Sequence, residues 1–197
     1  MKNNGAMINS MSKYFYRVDD LPVFENLEDE LNELLESEMI SWTGNQICIN
    51  TIENHLDEYT IGCGSLHYNW NNVVYNNKEV EHIPLKENKI VDEDFRYLCR
   101  PFIGTLFEDL YNTLNTKYHL GRLRIMKSEP FKCMSWHRDI SNRIHYPIKT
   151  SNGCRMVIEE ESFHIPQNEW WMTKTEYFHT AFNGSREERI HVVGVIL

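Results

Sequence analysis

The sequence predicts a mainly β fold, α+β overall, in which helices come first and a sandwich or barrel of short strands follows. Three observations carry this. After Gly121 the runs "RLRIMKSEPF", "RIHYPIKT", "CRMVIEEESFHI", "EWWMTKT", "FHTAFNG" and "RIHVVGVIL" are rich in β-branched and aromatic residues. Polar turns separate them at regular intervals, as in an all-β sandwich or barrel. Ahead of them, two stretches carry apolar residues at helical spacing. Finally, 197 residues with 41% hydrophobic side chains suffice for one domain with a core of its own.

The first helical stretch is "VFENLEDELNELLESE". Phe24, Leu27, Leu31, Leu34 and Leu35 share one face and acids occupy the other, which predicts an amphipathic helix packed on something larger. Between Thr51 and Trp70 no periodicity dominates. "NNVVYNNKEVEHIPLKENKIVDED" is polar and rich in Asn, which predicts a long loop with short extended pieces. Over 71–93 this loop is expected to serve as a lid or substrate clamp. The second helix is marked by Phe102, Leu106, Leu110 and Leu114 on one stripe, with Pro101 at its start. The whole chain, 1–197, is expected to be a single domain, with 1–118 as helical and loop support and 119–197 as the β-core portion.

Charge and cysteines narrow the function classes. Twenty basic against 29 acidic residues leave a net charge of -9, which argues against nucleic acid as a partner. The five cysteines, Cys48, Cys63, Cys99, Cys133 and Cys154, are odd in number and contain no C-x-x-C. That pattern fits reduced thiols better than a disulfide framework or a zinc site. The sequence offers neither a signal-peptide pattern nor an apolar window long enough to span a membrane. The expectation is a soluble, cytoplasmic protein with no membrane association.

The stretch "WHRDISNRIHYPIKT", Trp136 to Thr150, sets two histidines, two arginines and an aspartate among strand-forming residues. Such groups are costly to bury without partners, so the stretch is either a solvated strand or a convergence of polar groups on a ligand. His137 and Asp139 stand two apart and would share one face of a strand, where both can contact one metal ion. His55 and Asp57 form another H-x-D pair, so the pair alone decides nothing. A two-histidine, one-carboxylate triad needs a second histidine, usually from a later strand, and leaves three open positions on iron(II). His179 follows His137 by 42 residues, and Arg189 follows His179 by ten, on the last predicted strand. An arginine there is suited to hold a carboxylate bidentately. His55 precedes the β part and has no such series behind it.

H-x-D, then R-x-H-x-P, then a distal histidine with an arginine ten residues on resembles the 2-oxoglutarate and iron(II) dependent dioxygenases. Within them it is most similar to the aspartyl/asparaginyl β-hydroxylase-like group. The resemblance covers roughly Arg122 to Leu197, and "RIHYPIKT" is similar to short single-domain members from bacteria and their phages, which would place the protein in a bacterial host, possible phage origin included. It implies a double-stranded β-helix, the cupin-like jelly roll, with N-terminal helices packed on one sheet. It implies that His137, Asp139 and His179 ligate iron(II) and are the catalytic residues. It implies that Arg189 pairs with the distal carboxylate of the cosubstrate 2-oxoglutarate, and that Arg143 and His145 lie near its C1 carboxylate and keto group. With O2 the implied reaction hydroxylates a C–H bond and releases succinate and CO2. The substrate implied is a peptidyl Asp, Asn or Pro side chain. Animal members have glycine where Asp139 stands, a longer gap before R-x-H, and a membrane anchor; this sequence carries the full triad.

Other readings stand beside these. The same chemistry on a small molecule or a free amino acid is one rival; a non-redox cupin-like metal or ligand binder is another, for which Arg189 has no use. His145 can be a core histidine satisfied by a carbonyl, and Arg143 a surface strand residue. Arg124 is read as a salt-bridge residue, and Trp136, Trp170 and Trp171 as mostly core. Cys133 and Cys154 are read as buried small hydrophobes, and Glu159 to Glu161 as a solvated turn. His191 competes with His179 but has no arginine behind it, and His164 shows no partner pattern.

Overall fold

Runs of β-branched and aromatic residues become strands, and the two leucine-rich stretches become helices. The computed structural model describes residues 12–68, 83–84 and 90–197. In chain order come β1 (Phe15–Arg17), α1 (Leu27–Glu36), β2 (Gln46–Cys48), β3 (Asn50–Thr51), β4 (His67–Tyr68), β5 (Ile83–Pro84), β6 (Tyr97–Leu98) and α2 (Leu106–Lys117). Then follow β7 (Leu120–Ser128), β8 (Lys132–Cys133), β9 (Asn142–Lys149), β10 (Cys154–Ile158), β11 (Glu161–Phe163), β12 (Trp171–Thr173), β13 (His179–Asn183) and β14 (Arg189–Ile196).

A six-stranded sheet has the order β1-β12-β9-β14-β7-β2, and a four-stranded sheet the order β11-β10-β13-β8. All pairings within both sheets are antiparallel. From β7 onward the chain winds between them: β7, β9, β12 and β14 join the large sheet, while β8, β10, β11 and β13 join the small one. Two antiparallel sheets wound around each other in this way are a jelly roll, the double-stranded β-helix of cupins.

Side-chain alternation gives the large sheet two different faces. On the outer face Leu123, Ile125, Ile144, Tyr146, Ile148, Ile190 and Val192 pack with Leu27, Leu31 and Leu34 of α1 and Phe107, Leu110 and Leu114 of α2. Gly194 lets β14 approach β9 closely, because a Cβ there would lie 2.9 Å from Ile144 Cγ2. The helices therefore pack on one sheet, leaving the opposite face to line the space between the sheets.

Local details differ from the sequence reading. Helix α1 starts at Leu27 rather than Phe24, because Asn26 is left-handed at φ 69. Phe24 instead meets Tyr146 and Trp170 edge-on. Pro101 does not open α2: it sits in a 3-10 turn, Arg100–Phe102. Gly104 at φ 82 breaks the path, and Thr105 caps the true start by accepting from the Phe107 amide. The N-terminal region also supplies strands β1 and β2 to the edges of the large sheet, three residues each and too short to show a period. Most of residues 71–93, and the lid expected there, lie outside the described residues. Within that span Ile83–Pro84 pairs with His67–Tyr68, and Asp92–Asp94 forms a 3-10 turn. Among the described residues no helix is long and apolar enough to cross a membrane.

Candidate functional site

A cavity of about 610 Å³ lies between the sheets. The large sheet lines it with Arg122, Arg124 and Met126 of β7, Arg143 and His145 of β9, and Arg189, His191 and Val193 of β14. These are the alternate partners of the residues that pack under the helices.

His137 and Asp139 reach the cavity from the segment between β8 and β9. That segment is a loop rather than the expected strand, but backbone bonds keep it extended. His137 and His179 exchange amide-to-carbonyl hydrogen bonds of 3.0 and 2.8 Å, and the Asp139 amide donates to Thr175 O at 2.8 Å. Thr175 Oγ1 donates to Ser141 O, which ties down the far end of the same loop. The two-residue spacing thus holds both side chains on one side without a full ladder.

One potential ligand atom from each of His137, Asp139 and His179 lies within 4.8 Å of the other two. Each histidine has Nδ1 against a carbonyl, His137 to Ser135 O at 2.7 Å and His179 to Tyr177 O at 3.0 Å. A carbonyl only accepts, so Nδ1 carries the proton and Nε2 presents its lone pair to the cavity. Burial pushes His179 down to about 4, with His137 adding to the fall and Asp139 opposing it, so its ring is neutral near pH 7. Burial alone would raise the Asp139 carboxyl. The Arg143 guanidinium, followed by His179 and His137, outweighs it and holds the group below the usual carboxylate range. The set is therefore two imidazoles, each with Nδ1 held by a carbonyl, and one carboxylate, which suits a divalent first-row metal such as iron(II).

Arg143 is buried, so it is not a surface strand residue. Its Nε lies 3.1 Å from Asp139 Oδ2, and Nη1 donates to Ser141 Oγ at 3.0 Å. It thus orients the carboxylate of the triad. His145 is buried with neither ring nitrogen bonded, which removes the reading of a carbonyl-satisfied core histidine. Burial, then Arg189 and Arg143, push it down to about 3. Arg189 also lines the cavity with a buried, unbonded Nε, and among the described residues no carboxylate pairs with it. Burial lowers its pKa. Asn183 Nδ2 donates to Ser128 O at 3.0 Å and to Glu187 O at 2.7 Å, fixing the turn that presents Arg189.

The sequence-derived residues His137, Asp139, His179, Arg143, His145 and Arg189 all line this one cavity. His55 and Asp57 do not; His55 pairs with Glu58 and Asp57 with Arg100. Arg124 departs from the salt-bridge reading: it faces the cavity, bonds Gln46 Oε1 at 3.0 Å and Gly64 O at 3.3 Å, and keeps a buried, unbonded Nε. Cys133 is exposed on edge strand β8 rather than buried, whereas Cys154 is buried. His191 is buried beside His145, at 5.9 Å between ring centroids, and is not one of the three clustered ligands. His164 has a partner after all, Cys154 O at 2.9 Å. Trp170 is core, Trp171 packs against Phe163 with the rings tilted, and Trp136 lines the cavity half-buried. Thr175, Ser141 and Asn183 were not legible, because each acts through hydrogen bonds that only the fold sets up.

The sequence model of the family described as "Aspartyl/Asparaginyl beta-hydroxylase" matches residues 24–195. The chain belongs to the aspartyl/asparaginyl β-hydroxylase family. A comparison with curated proteins finds no match. Among solved structures, this family member is similar to a cupin domain from Bordetella pertussis, at 18% identity and TM-score 0.34 over 39% of this chain and 80% of that one. It is also similar to an oxidoreductase of the 2OG-Fe(II) oxygenase family from Burkholderia pseudomallei, at 14% identity and TM-score 0.36 over 46% of this chain and 48% of that one. IDO from Bacillus thuringiensis matches over 94% of this chain and 90% of its own, at 11% identity and TM-score 0.37. The β-hydroxylase family match takes in both helices and the strands from β2 through β14 short of Ile196, well beyond the stretch from Arg122 onward where the resemblance was legible.

Proposed function

We propose that the protein is a 2-oxoglutarate- and iron(II)-dependent dioxygenase that hydroxylates a C–H bond with release of succinate and CO2. The observation that carries this is Arg189, a guanidinium lining the cavity with no carboxylate partner among the described residues. A buried cation without a counter-ion is costly, and a bound anion removes the cost. A non-redox metal binder has no use for such an anchor.

In this reading His137, Asp139 and His179 hold iron(II), which with the keto acid supplies the oxidising power for C–H hydroxylation when bound. The residues of the chain do the rest. Arg189 grips the distal carboxylate of 2-oxoglutarate as a planar fork. Arg143 holds Asp139 ionised and oriented, and neutral His145 offers a ring nitrogen as a hydrogen-bond partner near the keto acid. The apolar wall of Met156, Ala181 and Val193 limits water beside the reacting carbon.

The substrate follows from Arg124. Arg189 pairs in register with Ser128 on β7, and Arg124 lies four residues further along that strand, roughly 13 Å away. A diacid held at Arg189 therefore leaves Arg124 free for a second anion. Among peptidyl Asp, Asn and Pro side chains this favours Asp; the carboxylate of a free amino acid has the same chemistry. Anaerobic addition of iron(II) and 2-oxoglutarate tests the cosubstrate site by its visible charge-transfer band. Arg189→Met is expected to abolish the band while iron still binds, and an unchanged band defeats the reading. Mass spectrometry for oxygen gain on incubated lysate proteins and metabolites separates a peptidyl substrate from a free one.

A further inference from the structure

Beside the cavity, two thiols face each other. Cys48 Sγ on β2 and Cys63 Sγ in the segment between β3 and β4 lie 3.8 Å apart, and all five cysteines of the chain are free. Cys48 is buried, whereas Cys63 is partly exposed and reachable from solvent. That segment is drawn onto the strand by main-chain bonds: the Cys48 amide donates to Tyr59 O at 2.9 Å, and the Cys63 amide to Thr60 O at 3.0 Å. Gly62 makes the approach possible, because a Cβ there would sit 2.8 Å from Cys48 Sγ and 2.6 Å from the Phe95 ring.

We propose that Cys48 and Cys63 form a peroxide-responsive dithiol whose disulfide fixes the Arg124 side of the cavity. The two thiols are unequal in the manner such a pair requires. The Cys48 thiol and the Arg124 guanidinium stabilise a Cys63 thiolate, bringing that group down to about 7 against the opposing effect of burial. Hydrogen bonding to Cys63 and burial push Cys48 up. Peroxide reaches the partly exposed Cys63 before the buried Cys48, so Cys63 is the attacking sulfur and Cys48 the resolving one. The Cys63 thiolate attacks one oxygen of hydrogen peroxide and the O–O bond breaks. Cys63 becomes a sulfenic acid, and the departing hydroxide takes a proton to leave as water. Cys48 sulfur, losing its proton, then attacks the sulfenic sulfur and expels a second water. Two thiols and one peroxide thus give one disulfide and two waters, with two electrons passing from sulfur to peroxide. Closure brings the two sulfurs from 3.8 Å to a bonded ~2 Å.

The next residue conveys the change to the site. Gly64, left-handed at φ 78, accepts from Arg122 Nη1 at 3.0 Å and Arg124 Nη1 at 3.3 Å through its carbonyl. Its amide donates to Gln46 Oε1, which also accepts from Arg124. Gln46, Gly64, Arg122 and Arg124 all line the cavity. A bond at Cys63 therefore restrains the groups that hold Arg124. The relevance to turnover rests on the dioxygenase reading, but the thiol chemistry does not, and the test uses the protein without added metal.

The full chain carrying Cys133→Ser, which removes the exposed thiol, is treated with equimolar hydrogen peroxide, alkylated and weighed. The expected result is a loss of about 2 Da, two fewer alkylated thiols, a proteolytic cross-link joining Cys48 to Cys63, and full reversal by dithiothreitol. The oxidised form is expected to melt at a higher temperature than the reduced one. Adding Cys48→Ser should halt the reaction at a dimedone-trappable sulfenic acid on Cys63, and adding Cys63→Ser should abolish it. The proposal is overturned if both thiols remain alkylatable after peroxide, if the cross-link joins other cysteines, or if Cys63 oxidises no faster with Cys48 present than without it.

Discussion

The two faces of the large sheet are built from the same strands and have opposite chemistry. On the helix face, Asn142 Oδ1 at the start of β9 is buried and unbonded, but the polar groups under the helices find partners: Tyr146 Oη accepts from the Phe24 amide at 2.9 Å and donates to its carbonyl at 3.2 Å, and Trp170 Nε1 donates to Pro22 O at 2.8 Å. One residue away along the strands, Arg124 Nε, both His145 nitrogens, Arg189 Nε and His191 Nε2 are buried and unbonded. A satisfied face reports stability, whereas an unsatisfied one reports something still to be bound. The cavity face is also rich in guanidinium groups in a chain of net charge -9, so the sign of the whole surface says little about the ligand.

The sharpest way to break the contrast is to remove a ligand. His179→Ala or Asp139→Ala should weaken iron(II) affinity more than the roughly 100-fold typical of losing an outer partner; urea unfolding of the metal-free protein should change little for His179→Ala, whereas Asp139→Ala strands buried Arg143 and should unfold more easily. Equal iron affinity in calorimetry would end the triad. On the other face, Ile144→Ala should lower unfolding free energy by about 2–5 kcal/mol, since Ile144 is fully buried under the helices, and leave metal affinity intact in the folded fraction.

Titration separates the faces further. His145 stands at about 3 and His179 at about 4, both below the ordinary histidine value of 6.5. The unfolded chain therefore binds more protons between pH 6.5 and about 4. Metal-free stability should be flat above 6.5 and fall toward 4 by up to about 1.4 kcal/mol per pH unit for each histidine. His145→Leu should remove one such contribution from the slope, measured by urea midpoints at pH 7 and 5. The smallest effect belongs to the helix side. Thr105→Ala removes the α2 cap and should cost about 1 kcal/mol, with no change in the pH slope.

The β part was legible because its strands are rich in β-branched and aromatic residues between polar turns: β10, β11, β12, β13 and β14 fall within the runs read from the sequence, and β7 and β9 overlap them. The edge strands β1 and β2 were not, for they stand alone in the N-terminal region and their pairing depends on β12 and β7, more than 75 positions away. The start of α2 was misplaced because Pro101 fits a 3-10 turn as well as a helix, and only the φ of Gly104 separates them.

By itself, the sequence determined which residue types stand at which spacing: H-x-D, the distal histidine, the arginine ten residues on, and the alternation that splits each strand into two faces. Only the tertiary structure decided that Arg143 turns to Asp139, that Arg124 turns to Gln46 and Gly64, and that Cys63 meets Cys48. The reason is physical. Periodicity is a local property of the backbone, whereas the partner of a buried charge or thiol is set by whichever distant strand the winding of the sheets brings against it.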